Sequence, residues 1–215
     1  MLRPRIIPCL LIKDGGLVKT IGFDNPKYLG DPINAVKIFN EKLVDELIIL
    51  DIDATVKNQE PDMEMISNLA SECRMPICYG GGIKNVKQIR KIIALGVEKI
   101  SISSAAIQNP DIVSEASEFV GNQSIVLTLD VKKVNDEYQV FTHNGSKMTG
   151  LDLIEIIRKY QNLGVGEIVI NSISYDGTMN GYDFVLIDYI KDGVNIPLTI
   201  LGGAGSHEDI GMLIS

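Results

Sequence analysis

The chain has 215 residues, 45% of them hydrophobic and 22% charged, enough apolar content for one sizeable core. Its formal net charge of −8, with no basic stripe, excludes a surface built for nucleic acid, because acidic surface repels phosphate backbones. Apolar runs shorter than ten residues are too short to span a bilayer, and the opening MLRPRIIPC lacks the long apolar centre of a secretory signal, so the expected place is the cytoplasm and no membrane partner is expected.

Short β-branched runs alternate with amphipathic segments along the whole chain. RIIPCLL, INAVKIFNEKLV, ELIILDI, MEMISNLASE, MPICYG and VKQIRKIIALG open the series. KISISS, PDIVSEASEFV, SIVLTLDV, LIEIIRKYQNLG, EIVINS, FVLIDYIKDG and PLTIL continue the series, giving seven predicted strands, and the chain ends inside a helix. The alternation predicts parallel strands joined by helices. Asn109 is expected to cap a helix whose first turn holds Pro110. Two connections are long, KDGGLVKTIGFDNPKYLGD after the first strand and KKVNDEYQVFTHNGSKMTG after the fifth. Each contains an extra hairpin-like run, and long loops in compact domains are commonly functional lids. Cys9, Cys73 and Cys78 form no paired framework and are expected to be reduced core thiols. With only His143 and His207 beside them, no metal-ligand spacing arises, and no cofactor is expected.

The two halves of the chain echo each other. Gly81-Gly82 and Gly202-Gly203 are 121 residues apart (202 − 81), and so are Glu46 and Glu167, each standing just before a strand (167 − 46). CLLIK at 9–13 matches TLDVK at 128–132 with an offset of 119 (128 − 9). This repetition predicts an α/β fold: a TIM (β/α)8 barrel built from two (βα)4 half-barrels, forming a single domain over residues 1–215. A glycine pair ending a barrel strand lets backbone approach a ligand, and the following helix N-terminus offers N–H groups to phosphate. Two such corners predict two phosphates, with SISSA at 101–105 and SYDGT at 174–178 as polar neighbours.

RIIPCL, GDP, LDI, GGGI, the SAA of SISSAA, VFT, YDGT-x-x-GYD and GGAG together resemble the cyclase subunit of imidazole glycerol phosphate synthase, over all 215 residues. The resemblance implies a heterodimer with a glutaminase subunit, whose ammonia crosses the barrel to a phosphorylated small-molecule substrate. It also implies phosphate contacts at Gly81, Gly82, Ser103, Ser104, Asp176, Gly177, Gly202 and Gly203, catalytic roles for Asp130 and Lys19, and an ammonia gate of Arg5, Glu46, Lys99 and Glu167. Ser103 and Ser104 replace the asparagine and threonine common in that family.

One family carboxylate is absent: the repeat pairs Asp130 with Leu11, and leucine neither gives nor takes a proton. The reading is therefore a paralogue with changed chemistry, of the kind that amidates sugars for bacterial surface polysaccharide, with a third, sugar-amidating protein as a further candidate partner. The alternatives are a histidine-pathway cyclase in which Asp14, Asp51 or Asp176 replaces the missing group, and a non-catalytic docking subunit that channels ammonia. With no eighth strand in the sequence, a barrel truncated after strand seven is expected, whose first and seventh strands expose unpaired edges.

Overall fold

The computed structural model describes residues 3–214. In chain order the elements are β1 (Cys9–Lys13), β2 (Gly16–Ile21), β3 (Asp24–Gly30), α1 (Pro32–Lys42), β4 (Leu47–Asp51), α2 (Met63–Glu72), β5 (Ile77–Gly80), α3 (Val86–Ala94), β6 (Lys99–Ile102), α4 (Ser104–Gln108) and α5 (Asp111–Val120). Then come β7 (Ile125–Val134), β8 (Glu137–Thr142), β9 (Lys147–Asp152), α6 (Leu153–Asn162), β10 (Glu167–Ser172), α7 (Phe184–Ile190), β11 (Leu198–Leu201) and α8 (His207–Ile214). The seven strands expected from the sequence are β1, β4, β5, β6, β7, β10 and β11. They pair in parallel in the order β11-β10-β7-β6-β5-β4-β1, a curled α/β sheet that fits the TIM-barrel family.

Residues two apart on a strand share a face, so each strand sends one set of side chains outward to the helices and the other into the curl. The outward set and the apolar helix faces make the main core, with Ile12, Ile49, Tyr79, Ile100, Leu127 and Ile170 among its members. The inward set includes a smaller buried cluster, Ile48, Cys78, Val126 and Val169, one residue from each of β4, β5, β7 and β10. The helices start where short polar side chains satisfy their first N–H groups. Asp31 accepts from Ile33 N, Asp62 from Glu64 and Met65 N, Asn85 from Gln88 N, Asp152 from Glu155 N, and Asp183 from Leu186 N.

Both long connections fold as antiparallel pairs: β2 and β3 after β1, and β8 and β9 after β7. β2 also corrects the expectation that the first strand exposes an unpaired edge. Leu11, Ile12 and Lys13 on the outer edge of β1 pair with Val18, Leu17 and Gly16. β11 pairs only with β10 among the described residues, and a cleft of about 970 Å³ lies between the 3–9 segment and β11. A second correction falls at Asn109. SAAIQ forms the short helix α4, which Asn109 ends by donating its N–H to the Ala105 carbonyl (2.9 Å). α5 therefore starts one residue later than expected, at Asp111, with Pro110 in the cap position and no side-chain cap bond.

Candidate functional site

Two charged regions lie at opposite ends of the inward face. At the strand starts, Arg5, Glu46, Lys99 and Glu167 close a four-membered ring of alternating sign. Arg5 reaches Glu46 (2.6 Å) and Glu167 (2.9 Å), and Lys99 Nζ reaches the same two carboxylates at 2.7 and 2.9 Å. Both glutamates are almost fully buried. Burial alone would raise the Glu167 carboxyl, but hydrogen bonds from Thr199 (2.6 Å), Lys99 and Arg5 hold it below its ordinary value. Burial likewise opposes the charge on Lys99, and Glu46 and Glu167 outweigh it, so its pKa is raised. The sequence placed these residues individually before four strands; the structure brings all four together. Thr199, the fifth polar group of the ring, was missed, since a lone threonine in an apolar strand carries no signal.

Beyond the ring lies the apolar cluster of Ile48, Cys78, Val126 and Val169, with Ile7, Cys9, Leu50 and Leu201 packed against it. Next come two hydroxyls, Ser101 Oγ and Thr128 Oγ1, 2.7 Å apart. They open into a pocket of about 300 Å³ at the C-terminal ends of the strands, where barrel sites are built.

Leu11, Lys19, Gly81, Gly82, Ser103, Ser104, Asp130, Asp176 and Gly177 all line this pocket. Gly202 and Gly203 do not: they line the cleft beside β11, which meets the pocket at Cys9, Asp176, Gly177 and Leu201. Asp130, half-buried, lies on the inward row of β7 at the pocket. Burial pushes its carboxyl up to about 7, with the charge of Asp176 adding to the rise and a hydrogen bond from Asn171 opposing it. Lys19 projects from β2, exposed, opposite Lys27 on β3.

Several of the expected ligand groups have partners within the protein. Asp176 Oδ2 accepts from Thr20 Oγ1 (2.6 Å) and Phe23 N (3.2 Å), and its carbonyl accepts from Gly22 N (2.9 Å), so this residue ties the β2–β3 hairpin across the pocket mouth. Ser104 Oγ accepts from His143 N (3.1 Å) in the turn between β8 and β9, and its own hydroxyl proton remains available to a ligand. At the first glycine corner, Gly81 and Gly82 have φ of +111° and +70°. A Cβ on Gly82 would press on Ala54 Cβ at 2.9 Å and the Gln59 carbonyl at 3.0 Å. Packing of the 52–62 loop alone therefore requires glycine there. Among the described residues no group of three or more His, Cys, Asp or Glu could hold a metal ion, and no helix is long and apolar enough to cross a membrane.

The histidine biosynthesis protein family matches residues 5–215 of the chain. A provisionally named imidazole glycerol phosphate synthase subunit hisF3 of Vibrio vulnificus is 53% identical over 216 residues, covering 100% of this chain and 83% of that protein. A provisionally named subunit HisF of Leptospira borgpetersenii is 52% identical, covering 100% of this chain and 85% of its own. The similarly named hisF2 of Pseudomonas aeruginosa is 49% identical over 211 residues, 98% of this chain and 84% of that protein.

Proposed function

This chain belongs to the histidine biosynthesis protein family, in its imidazole glycerol phosphate synthase cyclase group, and from that premise we propose that it is the synthase subunit of a glutamine amidotransferase. A glutaminase subunit docks at the strand starts and delivers ammonia through the ring of Arg5, Glu46, Lys99 and Glu167. Ammonia passes the apolar cluster and reaches a phosphorylated sugar-type substrate in the pocket. Gly81, Gly82, Ser103, Ser104 and Gly177 hold one phosphate by backbone N–H and hydroxyl groups, Gly202 and Gly203 hold the other, and Lys19 closes over the substrate. Asp130, with a carboxyl near neutrality, does the acid–base work.

The observation that carries the finer reading is Leu11 in the same pocket as Asp130, where a second carboxylate would serve the cyclase reaction. Of the three groups that could replace it, one lies outside the pocket and two each have one carboxylate oxygen already bonded within the chain. Asp14 is exposed, outside the pocket lining, and paired with Lys57. Asp51 Oδ1 accepts from Asp53 N and Ala54 N at 3.0 Å, and Asp176 holds the hairpin. This supports a paralogue that amidates a sugar, as in surface-polysaccharide synthesis, over a histidine-pathway cyclase.

The test is genetic. Loss of one member of an acid–base pair forfeits about 10²- to 10⁴-fold in rate, enough to starve a pathway. Expressed with its own glutaminase, the protein is expected to leave a strain lacking the histidine-pathway cyclase unable to grow without histidine. Robust growth with Leu11 in place would make the protein a histidine-pathway cyclase.

A further inference from the structure

Asn171 has no part in the reading above, yet it is only 4% exposed and sits on the inward row of β10. That row runs Glu167 in the ring, Val169 in the apolar cluster and Asn171 at the pocket, each two residues on from the last. Its Nδ2 donates to Asp130 Oδ1 at 3.3 Å, while its Oδ1 is buried with no hydrogen-bond partner among the described residues. A buried acceptor without a partner is costly and calls for an explanation.

The carboxamide explains it by its symmetry. Its two ends have nearly the same shape, one donating and one accepting, so a half-turn about the last side-chain bond reverses its polarity without disturbing the packing. We propose that Asn171 is the positioning residue of Asp130, holding that side chain in both protonation states. Nδ2 donates to the carboxylate, and with the amide turned over Oδ1 accepts from the carboxylic acid. With leucine at position 11, a single carboxyl must be both acid and base, and its neighbour must tolerate both forms. A leucine or valine at 171 could bond neither.

The other ionisable groups around Asp130 do not offer this. Asp176, following β10, repels its ionised form, and Cys9 on β1 has a thiol that burial pushes up to about 12, with the charges of Asp176 and Asp130 adding to the rise. Asp51 at the end of β4 and Lys19 on β2 also line the pocket and have no hydrogen bond to Asp130. The inference rests on the reading of Asp130 as the acid–base group. Its test is a titration, so failure of that functional reading would leave the result standing.

Carbon-13 NMR of the Asp130 carboxyl against pH gives its midpoint, and nitrogen-15 NMR follows the Asn171 amide. In the parent protein the Asn171 signal is expected to move with the Asp130 midpoint. Asn171→Leu is expected to raise that midpoint by about one pH unit, the margin by which a hydrogen bond to a charged group exceeds one between neutral groups. Asn171→Thr, which keeps a hydroxyl that gives and takes hydrogen bonds, is expected to restore it. Asn171→Asp, of the same shape, guards against a leucine variant that does not fold. It is expected to turn the single titration into two coupled steps, because neighbouring carboxylates resist ionising together. An Asn171 signal indifferent to the Asp130 midpoint, or a folded leucine or aspartate variant in which Asp130 titrates as in the parent, would overturn the proposal.

Discussion

Burial sets the chemistry of Asp130 and also makes it a liability. An aspartate that ionises at about 3.9 in an unfolded chain is pushed up to about 7 here, because the carboxylate loses water and faces Asp176, a rise that the Asn171 hydrogen bond reduces. Between those two values the folded state keeps a proton that the unfolded state has released. Folding stability therefore falls as pH rises through that window, the reverse of an aspartate held by a cation. Asp130→Asn removes the titration while keeping the shape. The variant is expected to match the parent at about pH 4 and to be the more stable protein at about pH 8, by at least about 1 kcal/mol, since a tenfold change in an ionisation constant is worth about 1.4 kcal/mol. Thermal melting at a series of pH values measures this. A constant difference between variant and parent would mean that Asp130 ionises as readily folded as unfolded. A residue that lowers stability at working pH and lies in a pocket is the pattern of a site kept for function.

The β2–β3 hairpin is held from outside itself. Its solvent side is largely exposed, with Tyr28 and Ile21 bare, so little apolar burial fixes it. Thr20, Gly22 and Phe23 instead bond to Asp176, over 150 residues away in the chain. Thr20→Val keeps the size and removes the hydroxyl bond. The amide protons of Gly22 and Phe23 are expected to exchange about tenfold faster, as one lost hydrogen bond predicts. Unchanged exchange would mean that packing of Phe23 against Gly145 holds the hairpin. This latch also shows what the sequence could reveal. Strands such as EIVINS and helices such as VKQIRKIIALG were legible from periodicity, and both hairpins from extra β-rich runs in long loops. The ring was legible because four charges stand at equivalent places before four strands. The Thr20–Asp176 tie, the Asn171–Asp130 bond and the end of α4 at Asn109 were not, because each depends on which distant segments meet, and Thr, Asn and Asp are ordinary loop and strand-end residues. The partners of Asp176 were hidden for the same reason: its carboxylate meets a hydroxyl and an amide of this chain.

Across the whole molecule, the inward face runs from buried charge, through an apolar stretch, to a pocket with a near-neutral carboxyl. An uncharged molecule can cross the apolar stretch, whereas an ion would forfeit its hydration there. Ammonia fits that path in its neutral form and ammonium does not, and this is the physical ground on which the gate is proposed. The ring is also under tension as a stability element, because removing one partner of a buried ion pair leaves its neighbours uncompensated, at a cost of about 3–5 kcal/mol. Lys99 bridges Glu46 and Glu167 and is the position where this shows most. Lys99→Ala is expected to lower folding stability by about that amount, and Lys99→Glu by more, since three carboxylates then crowd one site. In complex with its glutaminase, each folded variant is expected to lose product formed from glutamine while keeping product formed from added ammonium chloride at the parent rate. The lost nitrogen should appear as ammonia released to solvent. Comparing glutamate, free ammonia and product in one reaction tests this directly. A Lys99→Glu complex that still converts each glutamine hydrolysed into product would take the gate away from these four residues and leave the ring a purely structural clasp at the foot of the sheet.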